Sequence, residues 1–230
     1  MKNLFYTILF ALAIVLLSSC KDDKKSFSEL GLNKLPTQKL DSVANVLEIV
    51  YVDDQHLRQD YQTIVKEFGL DSKQVKDFWG KQKKLDSINL IKVTAVIEKF
   101  GWLGIDEIGQ EANSALFLVI QHSDLNTQLK YLPILEKATE SGKASKIDYA
   151  MLKDRVLTKQ GEKQIYGTQL SWDSEMKEYY VASMIDPEKI DVRRASVGLG
   201  TIQEYIDYWN LEWDLEKYKR RIERIENGNK

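Results

Sequence analysis

Two long stretches of the chain carry apolar residues at steps of three and four, and that spacing commits most of the molecule to helices. From Thr37 to Phe68 the series is Leu40, Val43, Leu47, Val50, Leu57, Tyr61, Ile64 and Phe68. From Ser72 to Phe100 it is Val75, Phe78, Gln82, Leu85, Asn89, Val93, Val96 and Phe100, with Gly101 suited to end the helix. A 3.6-residue turn brings each set onto one face, whereas a strand would need alternation. Both stripes are interrupted. Asp54 sits in the gap between Val50 and Leu57, Gln82 and Asn89 replace apolar residues in the second stripe, and Asp86 lies one turn before Asn89.

Further helices follow. Asp106 can cap a third, running to about Gln121, whose apolar residues cover most of the circumference and suit the centre of a domain. His122 continues its stripe of Ile108, Ala112, Ala115 and Val119 and should point inward. A fourth helix, from about Asn126 to Glu140, contains Pro133, which kinks it unless it starts just before that residue. Ser145 and Asp148 form a capping box for a fifth, ending near Gly161, in which Asp154 shares the face of Ile147, Met151 and Leu157. Gln164 to Leu170 and Glu178 to Met184 predict a two-stranded β-hairpin, with Asp173 and Ser174 in the loop. A short helix is expected over Val192 to Val197, and Thr201 with Glu204 caps a long C-terminal amphipathic helix over 201–230. The expected fold is mainly α: a multi-helix orthogonal or bundle-like domain over 37–200 with one small β-hairpin near 164–184.

The first residues read differently. Lys2, an uncharged run from Leu4 to Leu17, and Ser18-Ser19 directly before Cys20 form a secretory signal that ends in a lipobox. The run is shorter than the ~20 residues of a membrane-spanning helix. Residues 1–19 are therefore expected to be removed and Cys20 to carry the lipid, diacylglycerol and a palmitate-like acyl chain, which together anchor stably. Residues 20–36 form a polar tether. Lys21-Asp22-Asp23 behind the cysteine resembles the surface-export signal of Bacteroidetes lipoproteins, and a plain solvated linker on the periplasmic side fits as well. The expected location is the cell envelope, lipid-anchored at the outer membrane, on its periplasmic face or at the cell surface.

Cleavage leaves 211 residues with a net charge of −3, so no basic surplus favours nucleic acid. Cys20 is the sole cysteine, which excludes a disulfide or thiol chemistry in the domain. With His56 on the outer face of its helix, one histidine remains for a site and a His-rich zinc centre is excluded. His122 with Asp124 and another carboxylate leaves a magnesium or calcium site open, but the spacing is weak and no metal or cofactor is expected. Gly-x-Ser-x-Gly, phosphate-cradling and His-Glu-x-x-His motifs are missing from the sequence.

The inward polar residues are the candidate site. His122, Asp54 and Asp154 are the acid–base candidates. Arg58, Arg155, Gln121, Tyr166, Gln169, Asp86 and Asn89 are the ligand-binding candidates. A buried charge costs several kcal/mol unless partnered. Asp54 with Arg58 four residues on equally suits an internal ion pair, and His122 equally suits a hydrogen-bonded core histidine. Gly167 within a strand suggests a bulge or a close backbone approach.

Asp54-Gln55 with Arg58, Gly101-Trp102, Gln121-His122-Ser123-Asp124, Asp154-Arg155-Val156, Tyr166-Gly167-Thr168-Gln169 and Val197-Gly198-Leu199 occur in this order. The set resembles a bacterial domain-of-unknown-function family, number 6624, over about Val50 to Tyr205. Many members have proline after the Gly-Trp pair, where this chain has Leu103. The resemblance brings no activity with it. It implies that the inward polar residues belong to one pocket. Three functions stay open: binding of a small polar or anionic ligand or a protein partner in that pocket, hydrolysis with His122 as general base beside an aspartate, and a structural role through the aromatic C-terminal helix.

Overall fold

A computed structural model describes residues 37–228. The chain divides into two compact units, Met1–Lys39 and Leu40–Lys230, and nearly all described residues belong to the second. The expected signal over 1–19, the lipidation at Cys20 and the tether to residue 36 lie outside the described residues. The domain is mainly α with one small antiparallel hairpin, as the periodicity predicts. No helix among the described residues is long and apolar enough to cross a membrane.

Helices α1 (Thr37–Phe68) and α2 (Lys73–Phe100) are the two striped segments. Ser72 caps α2 by accepting from the Val75 N–H at 3.2 Å, and Gly101 closes it at φ +71. At 1.5 Å per residue α1 is about 48 Å long. Its stripe is buried only over the first half, at Leu47 and Val50, while Phe68 is exposed. Tyr61 meets Phe78 and Trp79 where the two helices turn around.

The expected third helix is split. A single turn, α3 (Ile105–Ile108), starts at Gly104 rather than at Asp106, and Gly109 at φ +82 separates it from α4 (Gln110–His122). As the apolar circumference predicts, α4 is central: Ala112, Ala115, Leu116 and Ile120 are fully buried. Next, α5 (Leu125–Glu140) carries Pro133 within one continuous helix. Its start, well ahead of the proline, is set by the Asp124 carboxylate, which accepts from the Thr127 N–H at 2.9 Å. Helix α6 (Lys146–Lys159) is capped by Ser145, which accepts from the Ile147 N–H. Asp148 does not complete the expected box.

Strands β1 (Leu170–Asp173) and β2 (Glu178–Val181) pair antiparallel, Leu170 opposite Val181. They are shorter than the predicted strands: Gln164 and Gln169 still bond to Ser183 and Ala182, but residues 165–168 spend their backbone groups elsewhere, as described below. A 3-10 turn (Pro187–Lys189) leads into α7 (Ile190–Ser196). The single C-terminal helix expected over 201–230 is instead two: α8 (Ile202–Asp207), with the predicted Thr201–Glu204 capping box, and α9 (Leu215–Gly228). Asn210 at φ +54 breaks them apart.

Two apolar cores result. The larger joins α1, α2, α4, α5 and α6 through Leu47, Val93, Leu116, Tyr131, Leu135 and Leu152. The smaller joins the hairpin to α7, α8 and α9 through Val181, Ile190, Ile202, Ile206 and Tyr218.

Candidate functional site

Interruption of the α1 stripe places Asp54 in the larger core's flank at 1% exposure. A carboxylate there must find donors, and it finds three. Gln55 Nε2 donates at 2.7 Å, Arg58 Nη2 at 3.3 Å, and His122 Nδ1, from the end of α4, lies 3.0 Å from Oδ1. Arg58 also reaches across to α2, donating to Asp86 at 2.6 Å, and Gln82 Nε2 donates to the same Asp86 oxygen at 2.8 Å. Burial pushes the Asp54 carboxyl up. The hydrogen bond and charge of His122, together with Arg58 and Gln55, outweigh that and hold it below its ordinary value.

His122 is half-buried, and its Nε2 takes part in no hydrogen bond among the described residues. The ring lines a cavity of about 230 Å³ together with Asp54, Lys83, Asp86, Ser87 and Ser123. Leu90 and Val119 supply its apolar wall. An imidazole bonded through Nδ1 to a buried carboxylate is fixed in orientation and keeps Nε2 for a proton.

A second group of cations adjoins the first. With its amide oriented by its neighbours, the Gln121 carbonyl oxygen accepts from Arg155 Nε at 2.8 Å and Nη2 at 3.2 Å. No carboxylate forms an ion pair with Arg155 among the described residues. Burial lowers the Arg155 pKa, and the charge of Arg58 adds to that against the opposing effect of Tyr205. Lys159 is lowered by burial and by Arg155, with Asp124 opposing, and its Nζ donates to the Ser123 carbonyl at 3.2 Å.

Asp154, Tyr166 and Gln169 lie in a separate cluster rather than in this cleft. Asp154 is fully buried and accepts from the backbone N–H of Ile165 at 2.8 Å, of Tyr166 at 3.1 Å and of Thr168 at 3.0 Å, and from the Thr168 hydroxyl at 3.0 Å. Burial pushes its carboxyl up against the pull of those donors. The strap of residues 164–168 is thus wrapped on a carboxylate instead of continuing the strand. Gly167 at φ +65 makes the wrap possible, and a Cβ there would lie 3.1 Å from the Ile202 side chain, which is the close approach its position in the sequence suggests. Gln169 spends its side-chain amide on Thr168. Asp154 thus has both carboxylate oxygens taken up within the fold.

Asn89 is buried one turn beyond Asp86 and neither of its amide atoms has a partner; Gln82 Oε1 and Arg58 Nε are likewise unpartnered. Sequence reasoning passed over Lys83, Ser87 and Lys159, which are ordinary solvated residues by pattern. It also passed over Arg194, 2% exposed, whose guanidinium holds the Tyr166, Gly167 and Gly200 carbonyls from beneath the strap. An arginine pair at 193–194 carries no sequence signal of that kind. Among the described residues no group of three or more histidine, cysteine or acidic side chains is placed to hold a metal ion.

No curated protein and no solved structure matches the chain significantly. A family model described as a family of unknown function (DUF6624) matches residues 42–217. That span is wider at both ends than the motifs from Val50 to Tyr205, it covers more than half of the sequence, and the chain belongs to this family.

Proposed function

We propose that the protein is a lipid-anchored component of a bacterial cell envelope that binds a small anionic ligand where α1, α4 and α6 meet. The observation that carries this is Arg155: a largely buried guanidinium whose hydrogen-bond partner is a neutral amide and whose neighbours Arg58 and Lys159 repel it. Arg58 is already neutralised by Asp54 and Asp86. Arg155 has no such compensation, and a carboxylate or phosphate-like anion supplies it with bidentate geometry. His122, the residue after the Gln121 that Arg155 donates to, gives or takes the proton that such a ligand carries.

Thermal denaturation of the protein against inorganic phosphate, sulfate and small carboxylates tests this. At least one anion should raise the melting temperature with saturation, and Arg155→Gln should remove the rise without lowering the ligand-free melting temperature. If no anion protects the wild type, or if Arg155→Gln responds like it, the reading fails.

A second reading rests on a different observation. Asp54 orients through Nδ1 a ring that lines the cavity and leaves its Nε2 without a partner among the described residues, the arrangement of a general base. Hydrolysis of small esters or phosphoesters should then vanish in His122→Ala while phosphate protection stays. The anchoring is tested by labelling growing cells with a palmitate analogue. The full chain should take label and Cys20→Ser should not, and label retained in Cys20→Ser would end the lipoprotein reading.

A further inference from the structure

The β-hairpin reaches past the smaller core. Side chains alternate along a strand, so Trp172 and Tyr179, which pair in the register, share the side of the hairpin that carries Val181 into that core. Standing nearer the turn, they stay 51% and 44% exposed, and their rings meet edge to face at 5.0 Å. Tyr208 and Trp209 extend the row from the end of α8, where Asn210 turns the chain. The Trp209 ring lies 5.6 Å from Tyr179 and 5.3 Å from Tyr208, which is 78% exposed. Four rings in direct contact therefore make one continuous surface. Because they meet tilted or edge to face instead of in parallel stacks, they do not cover one another's faces.

Tyr179 also lines a cavity of about 70 Å³, whose wall includes Trp213 and Tyr218. Both signs of charge line it. Glu178 is paired with Arg221, Asp214 accepts from the Lys217 backbone N–H at 2.8 Å, and Glu212 forms no ion pair among the described residues. Acid and base nearly cancel there, so the charges select neither a cation nor an anion. They supply carboxylate acceptors beside ammonium and guanidinium donors, the groups that bond hydroxyls. The aromatic row adds apolar faces with negative potential, which attract C–H groups. A neutral ligand that is rich in hydroxyls and presents C–H groups on the faces of its rings satisfies both, and that chemistry is a saccharide's. We infer that the hairpin, residues 208–214 and the start of α9 form an oligosaccharide-binding site: the aromatic row stacks on successive sugar rings and the cavity bonds the hydroxyls of one of them. The inference is independent of the anion site, which shares none of these residues.

Titration calorimetry of the full chain in a non-glycosidic detergent, with cellohexaose, maltohexaose and chitohexaose as probes, tests it. At least one should bind saturably, and its single sugar, which cannot span the row, should bind at least tenfold more weakly. Trp172→Ala and Trp209→Ala should each raise the dissociation constant at least tenfold with circular dichroism unchanged, and Trp172→Phe, which restores a ring, should recover most of that loss. Glu212→Gln, at an exposed position without an ion-pair partner, should weaken binding several-fold while leaving the aromatic row intact. A wild type that binds none of the three probes overturns the inference, including one whose row is covered by a second copy or by the chain's own first residues. So does binding that survives both tryptophan-to-alanine substitutions, or that is as strong for the single sugar as for the hexasaccharide.

Discussion

Asp54 and Asp154 look alike in the sequence, each a carboxylate set into an apolar helical face, yet the structure uses them in opposite ways. Asp154 is met by three backbone N–H groups and a hydroxyl, all fixed dipoles that cannot leave or change charge. Asp54 is met by an arginine, a histidine and an amide, and it borders a cavity. A carboxylate satisfied by backbone has become part of the fold. One satisfied by titratable side chains at a cavity edge is still available to chemistry.

The comparison breaks first at Asp154. Asp154→Ala strands several buried donors at roughly 1–3 kcal/mol each before relaxation, so a net loss of about 3–4 kcal/mol is expected in urea unfolding. The damage should be local to the strap, visible as faster amide exchange at Ile165, Tyr166 and Thr168. A loss below about 1 kcal/mol would show that water replaces the carboxylate easily and that the two aspartates differ less than their geometry says.

Asp54→Asn comes next, with an expected loss of about 1–2 kcal/mol at pH 7, because the amide retains one acceptor but not the charge. The folded-state carboxyl is depressed below its ordinary 3.8. Its stabilisation is therefore full above that value and is lost as pH falls through the folded pKa. The gap between wild type and Asp54→Asn should accordingly close below about pH 4. A gap independent of pH would mean that packing, not charge, holds Asp54.

The helices were legible wherever periodicity alone decides them: α1, α2, α4 and α6 stand close to where the stripes put them. The misses are places where one residue's conformation or a distant donor overrides the pattern. Gly109 and Asn210, both at positive φ, cut what read as continuous helices. Residues 164–169 have strand composition, but Ile165, Tyr166 and Thr168 give their N–H groups to Asp154, a partner that strand propensity cannot register. The inward polar positions were likewise legible one by one. Their sorting into a sealed cluster and an open one was not, because it depends on which elements α1 and α6 face across the core.

Asp148 is a third case that sharpens the contrast, since it is desolvated without donors. It makes no hydrogen bond among the described residues, and burial pushes its pKa up to about 6. The ionised form therefore destabilises the fold above that pH, and the penalty disappears as pH falls toward the ordinary 3.8. Asp148→Asn should gain about 1 kcal/mol at pH 7, discounted for its partial exposure, and nothing near pH 4. An equal gain at both pH values would assign the effect to helix propensity instead of charge.

The smallest expected effect asks whether the two aspartates are connected. Tyr205 donates its hydroxyl to the Thr168 carbonyl at 2.7 Å, so it holds the strap that wraps Asp154. Its ring lies beside the Arg194 guanidinium, and its hydroxyl acts on Arg155 as well. Tyr205→Phe removes one hydrogen bond and leaves the ring, a loss of about 0.5–1.5 kcal/mol. If anion protection through Arg155 is unchanged in that variant, the sealed and the open carboxylate are energetically separate and the strap only closes the fold. If protection weakens by more than the lost hydrogen bond accounts for, the strap sets the position of Arg155. The order of the family's motifs would then have a physical basis: the segment that seals Asp154 would also shape the cleft beside Asp54.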